Sequence, residues 1–277
     1  MPRVSTGGSH AEAWARTYEI AAGEVRGFEI GPLTLYVARR SREWEIGALL
    51  GADPHAAGLE IGRPEREVDF ATCAWRFRYP APSHVDAITL SAAAADRPVI
   101  ARPESSLLVP ANATTVVYLG SPVWVRVRVG DAEVGEIPAW RPSDTWFGPS
   151  TTEGELCYAS RTMARLSLDE LPFSPVRAIT ETTIVNEMDV PVSVDRIGLP
   201  LPAMSVFRSS DGRMWTESVA VSLEEAGTAP TRIGKTPAQI AGQCTRLASP
   251  RRPPESGGLV RAFSALIDMS RGHSWSG

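Results

Sequence analysis

The run Val123-Trp-Val125-Arg-Val127-Arg-Val129 constrains this chain more than any other segment. A valine falls at every second position, with Trp124, Arg126 and Arg128 between. Side chains alternate across a strand, so the valines share one face and the arginines the other. A register slip of one residue would drive both arginines into the core, so the pairing is strongly specified. Gly130-Asp131 then reads as a turn into a further strand over Glu133–Ile137.

The same pattern recurs along the chain. Phe28/Ile30 and Leu33/Leu35/Val37 flank a turn at Gly31-Pro32, and Trp44-Glu-Ile46 begins another strand. In Ala71–Tyr79 the apolar residues fall at odd positions, which predicts a half-buried strand throughout. Val116–Leu119 follows a turn at Pro110–Ala113. Thr183, Ile184 and Val185 are β-branched, Asn186 to Asp189 supply turn chemistry, and Val192, Val194 and Ile197 recur near period two. Leu156–Tyr158, Met163–Leu168, Val176–Val185, Ser205–Arg208 and Met214–Leu223 complete the set, with a hairpin at Asp211-Gly212.

The predicted class is all-β, as one or two antiparallel β-sandwich units with a short helical C-terminal tail. The expected organisation is a lead-in over 1–24, a first sandwich unit over 25–140, a second β-rich unit over 141–234 and the tail over 235–277. The boundary falls in the Pro-, Trp-, Ser- and Gly-rich stretch Ala139–Ser150. At the N-terminus a capping box, Ser9-His-Ala-Glu12, competes with a short entering strand at Arg16–Ile20. In the tail, Thr236-Pro-Ala-Gln239 predicts a helix start, with Ile240, Cys244 and Leu247 on one face and Ser249-Pro250 as its end. Leu259, Val260, Phe263, Leu266 and Ile267 form a second amphipathic stripe. That helix is expected to dock on its own body or to pack on another chain.

Composition narrows the function classes. The 277 residues are 43% hydrophobic and 22% charged, as in a water-exposed globular chain. No stretch approaches the roughly 18–20 apolar residues of a membrane-spanning helix. The first twenty residues carry Arg3, Glu12, Arg16 and Glu19 with no apolar run, so no secretory signal is expected and a cytoplasmic location is. The formal net charge of −4 argues mildly against a phosphate-binding surface and strongly against a basic tail protein, so no nucleic-acid partner is expected. Lys235 is the only lysine, a coding bias rather than a functional signal. Cys73, Cys157 and Cys244 are isolated, which predicts neither a disulfide framework nor a zinc knuckle.

Chemistry-bearing motifs are few. Gly234-Lys235-Thr236 invites a phosphate-loop reading, but position 229 is Ala229 where that loop needs glycine, and no apolar strand leads in. His84-Val-Asp86 places two potential ligands on one strand face without further partners, so no metal is expected. With His10, His55, His84 and His273 the only histidines, a Ser-His-Asp arrangement has little to draw on. No cofactor and no catalytic residue is assigned. Trp124, Arg126 and Arg128 suit either stacking on bases or sugars, or a face lying under a loop with its arginine heads in water. The chosen candidate is Arg141–Tyr158, with Asp144, Trp146, Phe147, Glu153, Glu155 and Tyr158 as ligand-binding residues. Carboxylates around an aromatic floor are the form of a sugar site. The competing reading is an Ω-like loop in which Trp146 and Phe147 plug one end of the sandwich.

Taken in order, several short motifs resemble one family. They are Tyr18-Glu-Ile20, Phe28-Glu-Ile30, Val37, Arg39/Arg40, Trp44, Ala101-Arg-Pro103 through Val109-Pro110, Ser121-Pro-Val123-Trp124, Trp146-Phe-Gly148, Gly154-Glu-Leu-Cys157 and Thr183–Asn186. The chain is similar to the uncharacterised prokaryotic family catalogued as domain of unknown function 432, over about Tyr18 to Thr236. The resemblance implies a β-rich fold and no established activity. It also implies an accessory role beside a membrane channel protein, since members occur next to or fused with small mechanosensitive channels. The leading expectation is therefore a non-enzymatic binding or accessory module with an unidentified protein partner. The alternative is a carboxylate-dependent hydrolase or carbohydrate-binding protein using the 141–158 segment.

Overall fold

A computed structural model describes residues 14–80, 85–148, 152, 154–162, 164–224, 230–253 and 259–260. Within them the chain is strand-rich, and its helical content is four single 3-10 turns. The all-β reading holds.

A five-stranded antiparallel sheet opens the chain, in the order Leu59–Gly62, Val25–Ile30, Leu33–Arg39, Glu43–Leu50, Trp75–Pro80. Its first hairpin turns at Gly31, whose φ of +58° suits a residue without a side chain. Phe28, Ile30, Leu33, Leu35, Val37 and Ile46 are fully buried. A second antiparallel sheet runs Thr17–Glu19, Ala87–Ala93, Trp124–Val129, Ala132–Pro138, with its turn at Gly130. Val123, Val125, Val127 and Val129 are buried, as the alternation requires. The two sheets pack on each other. Tyr18 meets Phe28 edge-on at 4.9 Å between ring centroids, and Gly135 leaves room for the Phe77 ring.

The largest sheet is built around Arg177–Asn186. One edge of this strand pairs from Arg177 to Val185 with Thr114–Pro122, antiparallel. Its other edge takes Met214–Trp215 and then Val219–Leu223, both parallel. Another sheet joins Ser143–Phe147, Glu155–Thr162, Val99–Pro103 and Ile197–Leu199, with its middle pair parallel. Strand pattern alone suggested antiparallel units; these parallel pairings arise where strands distant in sequence meet. Asn186 fixes the turn after the central strand. Its side-chain nitrogen donates to the carbonyls of Val109, Pro110 and Val190, and its oxygen accepts from the Met188 N–H. A buried amide is thereby fully used. One apolar core runs continuously from Trp14 to Ala248.

The tail differs from expectation. Thr236-Pro-Ala-Gln239 does not start a long helix: Gln239–Ala241 forms one 3-10 turn, ended by Gly242 at φ +66°. Cys244–Ala248 is then a strand, antiparallel to Val206–Ser209, and Ile240 is exposed. Open sheet edges satisfy this backbone, and those ladders outweigh a weak local helix signal. Leu259–Val260 likewise pairs as a strand with Thr231–Arg232, docking on its own chain. Phe263, Leu266 and Ile267 lie outside the described residues, as do Ser9–Glu12. Thr17–Glu19 follows the entering-strand reading. Phe70–Thr72 is a 3-10 turn capped by Asp69, so the strand expected from Ala71 starts at Trp75. Of the strand expected over Met163–Leu168, Met163 lies outside the described residues, Arg165 makes an isolated bridge to Tyr118, and Leu168 begins a 3-10 turn to Glu170.

Candidate functional site

The predicted 141–158 patch is a hairpin rather than an Ω-like loop: Ser143–Phe147 pairs with Glu155–Thr162. Asp144 lies opposite Tyr158, and Phe147 opposite Glu155. Glu155 is three residues from Tyr158, so it projects from the other face of the hairpin to Asp144. Glu153 lies outside the described residues. Asp144 is held by Arg97 at 3.1 Å and Arg141 at 3.0 Å, and that pairing raises the Arg141 guanidinium above its ordinary range. Both arginines also lie over the Tyr158 ring, which packs on Trp124 at 5.5 Å. Burial, and then its hydrogen bond to Asp96, push the Tyr158 phenol up. Phe147 is buried with Ile100 and Cys157, whose thiol burial pushes up to about 12. Trp146 is 48% exposed beside Leu156, its cross-strand neighbour. The hairpin thus brings Asp144, Trp146 and Tyr158 to one face, where the acid is already neutralised.

The second sequence group is structural in its contacts. Trp124 is buried, Arg126 is bonded to Glu136 at 3.2 Å, and Arg128 lies 3.7 Å from Asp131. His84 lies outside the described residues, and Asp86 faces the buried Arg39 at 3.5 Å. Gly234 extends a sheet edge, donating its N–H to the Ser218 carbonyl. Among the described residues, no three His, Cys, Asp or Glu side chains gather as a metal site.

The most site-like feature lies elsewhere. A cavity of about 460 Å³ opens over one face of the central strand, within the ordinary range for small-molecule sites. Its apolar wall is Leu171, Pro172, Phe173, Ile179 and Met214. Besides Ser174, its polar side chains are His55, Glu104, Arg161, Arg177 and Arg213, brought from five separate segments. The strand period puts Arg177 and Ile179 on the same face. Gly120, opposite Ile179, leaves open space in which the Arg177 stem lies at 3.6 Å from where a β-carbon would stand.

Arg177 keeps some surface towards the cavity but is enclosed by protein on its other sides, and desolvation holds its guanidinium below the ordinary arginine range. Its hydrogen bonds go to two backbone carbonyls, Gly120 at 3.3 Å and Pro54 at 3.5 Å. No carboxylate among the described residues pairs with it. Arg213 has Nε at 3.4 Å from the exposed Asp211, while its Nη1 is buried without an acceptor. Arg161 is exposed at the rim and makes no ion pair among the described residues.

Sequence reading missed every one of these groups. The available signal was small: Arg177 interrupts the short apolar stretch Val176–Ile179 and shares a face with Ile179. Nothing local indicated that its carboxylate partner would be missing.

The family model described as protein of unknown function (DUF432) matches residues 14–268. That span includes most of the tail, which the resemblance read from motifs had left outside. No curated protein and no solved structure matches the chain. No helix among the described residues is long and apolar enough to cross a membrane.

Proposed function

The chain belongs to the DUF432 family, whose description assigns no activity, and we propose from the chemistry of the cavity that it is a binding module for a small organic anion. The observation that carries this is Arg177. A desolvated guanidinium bonded to carbonyls alone is an expensive arrangement, since a buried charge is costly unless it is paired. Here it faces a cavity of ligand size, beside Arg213 with an unused buried donor. An anion entering the cavity supplies the missing charge and acceptors. The walls from Leu171, Phe173, Ile179 and Met214 favour an apolar portion on the same molecule.

The carboxylate-dependent alternative has less support. It needs two acids across one groove at roughly 5–10 Å. Asp144 and Glu155 project from opposite faces of their hairpin, and Asp144 is tied to Arg97 and Arg141. An accessory role towards a protein partner, the channel implied by the family resemblance among them, fits a module whose surface responds to occupancy of this cavity. Thermal unfolding of the wild-type chain in a size-matched panel of organic anions, cations and neutral molecules tests the reading. At constant ionic strength, anions alone should raise the midpoint saturably, and Arg213→Met should abolish the rise. A panel in which no anion stabilises the chain refutes it.

A further inference from the structure

We infer that the occupant of this cavity is a phosphomonoester on an apolar body, an inference that rests on the anion-binding reading above. Charge comes first. Arg161, Arg177 and Arg213 line the cavity with the carboxylate of Glu104, while Asp211, 3.4 Å from the Arg213 Nε, is exposed, lies outside the lining and is screened by water. Within the lining itself, the positive charge exceeds the negative by two. A carboxylate brings one negative charge; a phosphomonoester brings close to two near neutral pH.

Geometry points the same way. Arg177 and Arg213 immediately precede Ala178 and Met214, which are paired residues of two parallel strands. The next pair along, Ile179 and Trp215, belongs to one buried cluster on that face of the sheet. In a parallel pair the side chains at matching positions point the same way, so the register carries Arg177 and Arg213 to the cavity face of the sheet, where both line it. Asp211 meets the guanidinium of Arg213 at its Nε and leaves Nη1 without an acceptor, and no carboxylate among the described residues pairs with Arg177, so an anion in the cavity has both arginines to serve. A carboxylate has two oxygens and satisfies one guanidinium fork. The three terminal oxygens of a phosphoryl group can serve both, and Arg is the side chain suited to such bidentate contacts. The Nη1 of Arg213, buried without an acceptor, is the unused half of one fork. The apolar wall then receives the rest of the molecule, which inorganic phosphate would leave wet.

Calorimetric titration of the full chain with phenyl phosphate, benzoate and inorganic phosphate, at about pH 7.5, where the monoester is dianionic, tests this. Phenyl phosphate should bind about tenfold or more tighter than either of the others. Arg213→Lys, which keeps the charge and loses the fork, should weaken phenyl phosphate several-fold and leave benzoate within about twofold. The wild-type comparison stands by itself if the variant folds poorly. Benzoate binding as tightly as phenyl phosphate overturns the phosphoryl assignment and leaves the anion reading intact. Inorganic phosphate matching phenyl phosphate overturns the apolar body. No saturable binding by any of the three overturns both inferences. Pelleting of the wild-type chain, but not Arg213→Lys, with phosphatidic acid vesicles assigns the phosphoryl group to a lipid. Retention of the titration result without pelleting assigns it to a soluble ester.

Discussion

Replacing Arg177 by methionine should stabilise the empty protein, which is the opposite of what loss of a hydrogen-bonded side chain ordinarily does. The wild-type cost is desolvation of a guanidinium that retains part of its surface, about 2 kcal/mol on a scale where a fully buried ion costs several. Its compensation is two hydrogen bonds at 3.3 and 3.5 Å, both at or beyond the long end of the useful range. They offset about 1 kcal/mol together. Methionine fills similar space without the charge, so the net gain is about 1 kcal/mol. A chain of 277 residues unfolds with an entropy of about 0.6 kcal/mol/K, so the midpoint should rise by about 2 °C. Saturating anion reverses the order. At a hundredfold excess over Kd it stabilises wild type by about 2.7 kcal/mol, near 5 °C, and should do little for Arg177→Met. Scanning calorimetry of both proteins, dialysed and then with phenyl phosphate, reads both signs. If dialysed Arg177→Met melts several degrees below wild type, Arg177 is a structural tie to Pro54 and Gly120, and the argument from an unpaired charge collapses.

Gly31→Ala should destabilise the chain by about 2–3 kcal/mol, through the left-handed backbone and a β-carbon placed 2.8 Å from the Ala56 carbonyl. Urea midpoints measure it, and because Ala56 adjoins His55 and Ala57 of the cavity wall, anion affinity should fall too. Glu45 supplies a pH signature. Burial pushes its carboxyl up, but hydrogen bonds from Arg76 and Arg40 outweigh this and hold it below 4.5. A lowered folded pKa contributes stability above the unfolded value that is lost as pH falls through the folded one. The stability gap between wild type and Glu45→Gln should therefore be fully open near neutrality and close below about pH 4.5; a gap unchanged down to pH 3 contradicts the assignment.

The strands were legible where the information is local. Gly31, Gly130 and Gly212 each sit at a positive φ in a hairpin read from sequence, and the valines of Val123–Val129 are buried as their spacing demands. Alternation identifies a strand without naming its partner, so the parallel neighbours of Arg177–Asn186 left no separate mark. In the tail, a proline and a glutamine outlined a helix start that sheet edges overrode. The cavity was illegible for a different reason. Arg161, Arg177 and Arg213 are ordinary arginines in sequence; what sets two of them apart is that no carboxylate among the described residues pairs with Arg177 and that the Nη1 of Arg213 is buried without an acceptor. Conversely, Asp144, Trp146 and Glu155 looked like a site because sequence proximity hides the face each side chain takes.

The central strand Arg177–Asn186 also governs when this protein becomes competent. Its neighbours begin at Thr114 on one edge and reach Leu223 on the other, and two of those pairings are parallel. Each such contact closes a long loop before it returns any stabilisation, which places the chain among slow folders. The anion cavity needs residues from His55 to Met214 at once, so no fragment that lacks either end of that span contains it whole. A ligand for that cavity acts after the rate-limiting assembly: it should leave the folding rate nearly unchanged and slow unfolding. Occupancy then lengthens the life of the finished molecule without helping to make it.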